Sequence, residues 1–208
     1  FSPDGTGGFD LPAANAYAAE QASAWTETKK TLFLIRANFP DKLPEPVTQA
    51  AAAAEINGAS SDLIRAMSYG KTWIEGTVSA NVYQMPQTAA FYADSGAPDY
   101  GTSTFSSKNA DLLRDARNTF RTNKSGGDSA INIGPVSSNS NGDGGGLGDY
   151  DIVGVFFDSI GMYGGGVGYA GLAGGGNLWV QDANYTSLYV HEWGHNYGIG
   201  HSSFWQTS

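Results

Sequence analysis

Two stretches of this chain are apolar for about the length of a strand. Residues 31–38 read TLFLIRAN and are closed by Phe39-Pro40-Asp41, and residues 150–157 read YDIVGVFF. Continuous runs of this length, ended by turn residues, predict strands buried on both faces. Residues 72–83 alternate and are rich in β-formers, which predicts one or two further strands, and 178–181 predict a short one. Residues 130–133 offer another short strand inside a loop spanning 125–148.

Between these runs the period changes. Pro46 suits a first helical position before the Ala-rich stretch 50–56, and Gly58 predicts an interruption. A second helix is expected from about Ser60, with Leu63, Ile64 and Met67 on one face and a stop at Gly70. Residues 106–123 carry Leu112, Leu113, Ala116 and Phe120 at helical spacing. A last helix is expected to start near Asp182 or Asn184, either of which could cap it. Its inner face should hold Thr186, Val190, Trp193 and Tyr197, packed against the sheet. The order strand, helix, strands, helix, strand, Gly-rich edge, helix predicts a mixed α/β or α+β sheet with helices packed on it. Residues 1–28 read as a leader or linker, in which 12–25 could form a short helix, and the folded domain is expected over 29–208.

Composition narrows the function classes. With 40% hydrophobic and 15% charged residues among 208, the chain is long enough for one domain with a sizeable core. The formal charge of -9 opposes nucleic acid and anionic membrane as partners. No cysteine is present, which excludes disulfides, thiolate metal sites and cysteine nucleophiles. No apolar run approaches membrane-spanning length. Low Lys+Arg with abundant Gly, Ser and aromatics is a look common in exported proteins, so secretion is expected.

The chemistry concentrates in residues 191–201, HEWGHNYGIGH, which satisfy H-E-x-x-H-x-x-G-x-x-H at every defined position and contain all three histidines of the chain. On a helix, His191 and His195 at i and i+4 project from one face and can clamp one metal ion. Glu192 lies beside the first ligand and can reach a water on the metal without ligating it. Gly198 lets the backbone leave the helix through a left-handed conformation, and the turn returns His201 as third ligand. Three nitrogens leave a fourth position open, the mark of a catalytic zinc site.

This motif resembles that of the metzincin zinc peptidases. TLFLIRANFPD, SYGKTWIEGTV and the strand before the Gly-rich edge are similar to gametolysin-like and reprolysin-like members. The resemblance implies an N-terminal metzincin lobe with a mixed twisted sheet and a zinc-binding helix. It also implies endopeptidase activity on peptides or proteins, one catalytic zinc and secretion. It assigns His191, His195 and His201 as ligands, Glu192 as catalytic base and Gly198 as the turn of the motif. A substrate is expected antiparallel to an edge strand somewhere in 164–180. Metzincins carry a methionine turn beyond the third histidine; Met67, Met85 and Met162 all precede it. The expectation is therefore a piece from which that turn and the C-terminal lobe are absent.

Competing readings are a metzincin-like module that keeps zinc for adhesion or scaffolding, an inactive fragment, and an ester or amide hydrolase on the same site. Asp143, Asp149 and Asp151 in a Gly-rich stretch, and Asp158 after the strand, offer carboxylates for calcium, but their spacing matches no EF-hand, and turn chemistry is the stronger expectation. The Gly clusters lack the lysine of a phosphate loop. A Ser-His-Asp hydrolase would need a histidine that zinc leaves free, and none remains.

Overall fold

The computed structural model describes residues 26–93, 107–134, 148–160 and 169–201. Its centre is a five-stranded sheet in the order β2-β1-β3-β5-β4, formed by β1 (Thr28–Asn38), β2 (Thr72–Gln84), β3 (Ile152–Phe157), β4 (Gly171–Gly174) and β5 (Asn177–Gln181). The pairs β1–β2, β1–β3 and β3–β5 are parallel, and only β4 runs antiparallel, against β5. Helices are α1 (Gln49–Glu55), α2 (Ser61–Met67), α3 (Ala89–Ala93), α4 (Ser107–Asn123) and α5 (Thr186–Asn196). A mixed sheet with packed helices is the class the chain's pattern predicts.

The two uninterrupted apolar runs are central strands because both faces of the sheet are covered. In β1, Leu32 and Leu34 face one layer, with Ala52, Ile56 and Ile64 of the α1–α2 arm and Leu188, Tyr189 and Trp193 of α5. Ala37 faces the other, with Leu112, Leu113 and Ala116 of α4, while Phe33 and Ile35 pack there with Phe120. β3 alternates likewise, Phe156 inside the first layer and Val155 and Phe157 inside the second. Burying a side chain of this size contributes about 1.5–3 kcal/mol, so these runs dominate the stability of the sheet.

Several expectations need correction. α1 begins after Thr48, whose hydroxyl accepts the N–H of Ala51 at 3.1 Å, so Pro46 lies outside the helix. The interruption at Gly58 (φ -98°, ψ -108°) sits within a π-helical stretch, Ile56–Ser60, that joins α1 to α2. On α2 only Ile64 of the expected face is buried; Leu63 and Met67 are exposed, because the short helix lies along the sheet margin. Residues 72–83 form one strand with a bulge, within the expectation of one or two, whereas 130–133 are not a strand, although Ile133 is buried. The Ala-rich stretch 12–25 lies outside the described residues.

The free edge of β2 is sealed by side chains. Gly76 donates to Asn57 Oδ1 at 2.7 Å, and Asn57 Nδ2 donates back to the Gly76 carbonyl at 2.9 Å. The Ser61 hydroxyl serves both the N–H and the carbonyl of Ile74, and Gln49 donates to the Val78 carbonyl at 2.9 Å. At the bulge the register jumps from Leu34↔Val78 to Arg36↔Val82. The extra residues are held by Arg36, which donates to the Ser79 and Ala80 carbonyls, and by Asp128, which accepts from the N–H groups of Ala80 and Asn81.

Candidate metal centre

α5 begins at Thr186 with Tyr185 at its cap position and no side-chain cap. Neither Asp182 nor Asn184 caps it. Asn184 instead donates to the Ala51 carbonyl and accepts from the Tyr189 hydroxyl, while Thr186 donates to Glu55 Oε1 at 2.6 Å. The helix start is thereby tied to α1. Its buried face is Leu188, Tyr189, Glu192, Trp193 and Asn196, with Thr186, Val190 and Tyr197 only half-buried. Trp193 lies in the core and Val190 and Tyr197 pack against it as expected, but the buried stripe is rotated toward Asn196, which is drawn inward by the sheet. It accepts from Gly176 N–H at 2.9 Å and donates to the Asn177 carbonyl at 3.0 Å. Tyr197 reaches the opposite margin, where its hydroxyl bonds that of Thr72.

At its other end the helix closes with a paired turn. Gly198 N–H donates to the His195 carbonyl at 3.0 Å and Ile199 N–H to the Gly194 carbonyl at 2.9 Å, with Gly198 at φ +82°. This is the Schellman arrangement, and its left-handed residue is one that a side chain would strain. The chain turns back so that His201 meets the two helical histidines.

The three Nε2 atoms form a nearly equilateral triangle, 3.1 Å (His191–His195), 3.1 Å (His195–His201) and 3.2 Å (His191–His201). Nitrogens bound at about 2.0–2.1 Å to one tetrahedral ion stand roughly 3.3 Å apart, so the triangle fits a zinc-sized ion with one position open. His195 Nδ1 lies 2.8 Å from the Ile199 carbonyl. That carbonyl can only accept, so Nδ1 carries the proton and Nε2 presents its lone pair to the triangle. Converging lone pairs repel unless a cation lies between them. Burial, and after it the two neighbouring histidines, hold the His191 pKa below the usual imidazole value, which favours the neutral form a ligand requires. Among the described residues these histidines are the only cluster of three or more potential metal-binding side chains.

Glu192 is buried and its Oε2 has no hydrogen-bond partner. Burial alone pushes its pKa up to about 7. A desolvated carboxylate that titrates near neutrality is suited to take and return a proton. It lies against the first residue of β4: a Cβ built on Gly171 would come 2.7 Å from Glu192 Cγ and 2.8 Å from Oε1. The approach to β4 is fixed by Tyr169, whose hydroxyl donates to Asn109 Oδ1 and whose carbonyl accepts from Gln181.

β4 is the second edge of the sheet. Gln181 N–H donates to the Ala170 carbonyl, so Ala170, Leu172 and Gly174 turn their backbone groups toward β5. The N–H and C=O of Gly171 and Ala173 therefore point outward, and no described residue bonds them.

The other carboxylates are occupied locally. Asp151 accepts from the Thr31 N–H and hydroxyl, Asp158 from Ser159 N–H and Lys42, and Asp149 from Asn132 at 3.4 Å. Asp143 lies outside the described residues. Asn196, the Ile199 carbonyl and Gly171 were not anticipated. The polar Asn196 three residues after Trp193, on the buried side of the helix, was the one signal available; nothing in the Gly-rich stretch distinguishes Gly171 from its neighbours.

Fold and centre together define an α/β layer with a cluster of three histidines, two from its last helix and one from the turn that follows, beside its antiparallel edge. Residues 135–207, about a third of the chain, match the family model Peptidase M66, which supports a metallopeptidase relationship and a peptide or protein substrate. No curated protein matches the chain.

Proposed function

We propose that this chain is a secreted, zinc-dependent endopeptidase of the metzincin type. The observation that carries the reading is the triangle of three Nε2 atoms next to a buried glutamate that lacks a donor. His191, His195 and His201 hold the ion and Glu192 is the general base. Bound there, zinc supplies Lewis acidity toward the scissile carbonyl and the attacking water. Glu192 takes the proton of that water and returns it to the leaving amine. The open backbone groups of Gly171 and Ala173 bind an extended substrate as an added strand, which gives affinity with little sequence demand. Secretion rests on the cysteine-free, Lys- and Arg-poor composition and on the metzincin resemblance.

The test is metal content together with casein or gelatin cleavage, with and without a chelator, on the chain and on E192Q. One zinc per chain, chelator-sensitive cleavage, and a fall of at least about a thousandfold in zinc-loaded E192Q are expected. Bound zinc without cleavage would turn the reading toward a binding module. Undiminished turnover in E192Q would remove the proposed base.

A further inference from the structure

We propose that Gly171 is a positioning residue of this site: its missing side chain is the space in which the Glu192 carboxylate lies beneath the edge strand, so that base and substrate ladder keep one fixed spacing. The proposal rests on the peptidase reading and adds to it a residue outside the zinc motif.

Three atoms crowd the position. A Cβ on Gly171 would stand 2.7 Å from Glu192 Cγ, 2.8 Å from Glu192 Oε1 and 2.8 Å from Leu188 Cδ1. Unstrained carbon contacts begin near 3.5 Å, so a neighbour must shift, and the Glu192 Cγ, which is not a chain end, is the atom least able to. Glu192 and Leu188 are both buried, at 4% and 7% exposure, so a shift of either must be made against packed neighbours. The strand cannot slide away either. Asn196 holds the far end of the β4–β5 hairpin through Gly176 N–H and the Asn177 carbonyl, and Gln181 holds the near end through the Ala170 carbonyl. Gly171 is not among the positive-φ glycines, so its backbone accepts alanine and the effect of a substitution is steric. The same residue turns its N–H and C=O outward to the open ladder. One glycine thus touches the base on one side and, on this reading, the substrate backbone on the other.

The experiment is a double-mutant cycle of G171A and E192A, read first as melting temperature of the metal-free protein. E192A removes both the Cγ and the carboxylate that the new methyl would strike. G171A should therefore lower the melting temperature by several degrees in the wild-type background and by less than half as much in E192A. A G171A chain that fails to fold beside a folded double variant is the same coupling in extreme form. Equal drops in both backgrounds, or loss of folding in both, would assign the crowding to Leu188 and overturn the proposal. The second readout is casein cleavage by zinc-loaded protein. G171A should keep one zinc and a KM within about twofold while kcat falls at least about tenfold. A raised KM with unchanged kcat overturns the proposal and leaves the peptidase reading standing. A wild-type chain that holds zinc and cleaves nothing overturns both.

Discussion

The two edges of the sheet are built to opposite ends. Along β2, Asn57, Ser61, Gln49 and Asp128 satisfy the outward backbone groups one after another, and no strand can add there. Along β4, Gly171 and Ala173 offer theirs unpaired among the described residues. Each edge also has a buried carboxylate. Asp128 accepts from two backbone N–H groups, from Asn81 Nδ2 and from the Tyr83 hydroxyl, and it pushes the Tyr83 pKa, already raised by burial, up to about 12. Glu192 has an oxygen with no donor at all. A satisfied buried carboxylate holds structure together, whereas an unsatisfied one beside converging imidazoles is what the proposed role of general base calls for.

Among changes at the two edges, the largest effect on cleavage should come from closing the open one. A173P replaces an outward N–H with a ring while leaving the β5 ladder intact, a change that edge strands tolerate. Removing one backbone bond and obstructing the next is expected to cut peptide cleavage about a hundredfold, with zinc content retained. Cleavage at the wild-type rate by zinc-loaded A173P would show that substrate lies elsewhere, and the contrast between the edges would lose its functional meaning.

At the sealed edge the prediction concerns stability and not rate. D128A strands the N–H groups of Ala80 and Asn81 and the Tyr83 hydroxyl. A buried donor left without an acceptor, as the Tyr83 hydroxyl would be, costs about 1–3 kcal/mol, and the part-buried N–H groups of Ala80 and Asn81 add less because water reaches them, so a loss of about 3 kcal/mol is expected in denaturant unfolding. Turnover per folded molecule should be unchanged. A matching fall in kcat would mean that the bulge communicates with the metal centre.

This contrast was only half legible in the sequence. The central strands were plain because β1 and β3 are buried on both faces and write that burial as unbroken apolar runs. The three-histidine cluster was plain because its members and Glu192 fall within eleven residues of one helix and its turn. The edges were not, because what seals β2 is polar chemistry between residues as far apart as Gln49 and Val78 or Ala80 and Asp128. Polar residues with such roles look like ordinary surface residues until a strand lies beside them. The inner face of α5 was legible in Trp193, Val190 and Tyr197, which lie in or against the core, but not in Asn196, which is buried because Gly176 and Asn177 engage its amide, a bond that hydrophobic periodicity does not record. Leu63 and Met67 erred in the opposite direction, apolar residues on a helix too short and too marginal to bury them.

The smallest expected effect isolates the two carboxylates from each other. With the folded-state pKa of Glu192 at about 7 and the ordinary value at 4.5, the folded metal-free protein holds this proton more tightly than the unfolded chain. Its contribution is therefore most favourable below pH 4.5 and is lost as pH rises toward 7, levelling off above. Between pH 5 and 8 the wild type should lose about 2 kcal/mol relative to E192Q, whose amide does not titrate. The comparison is made by denaturant unfolding of chelator-treated protein at both pH values, because a cation on the histidines would stabilise the carboxylate and flatten the slope. Parallel pH profiles for wild type and E192Q would show that Glu192 finds a donor or water in solution. In that case the two edges would differ in their backbone alone, and the proposed general base would owe its tuning to something other than burial beneath the strand.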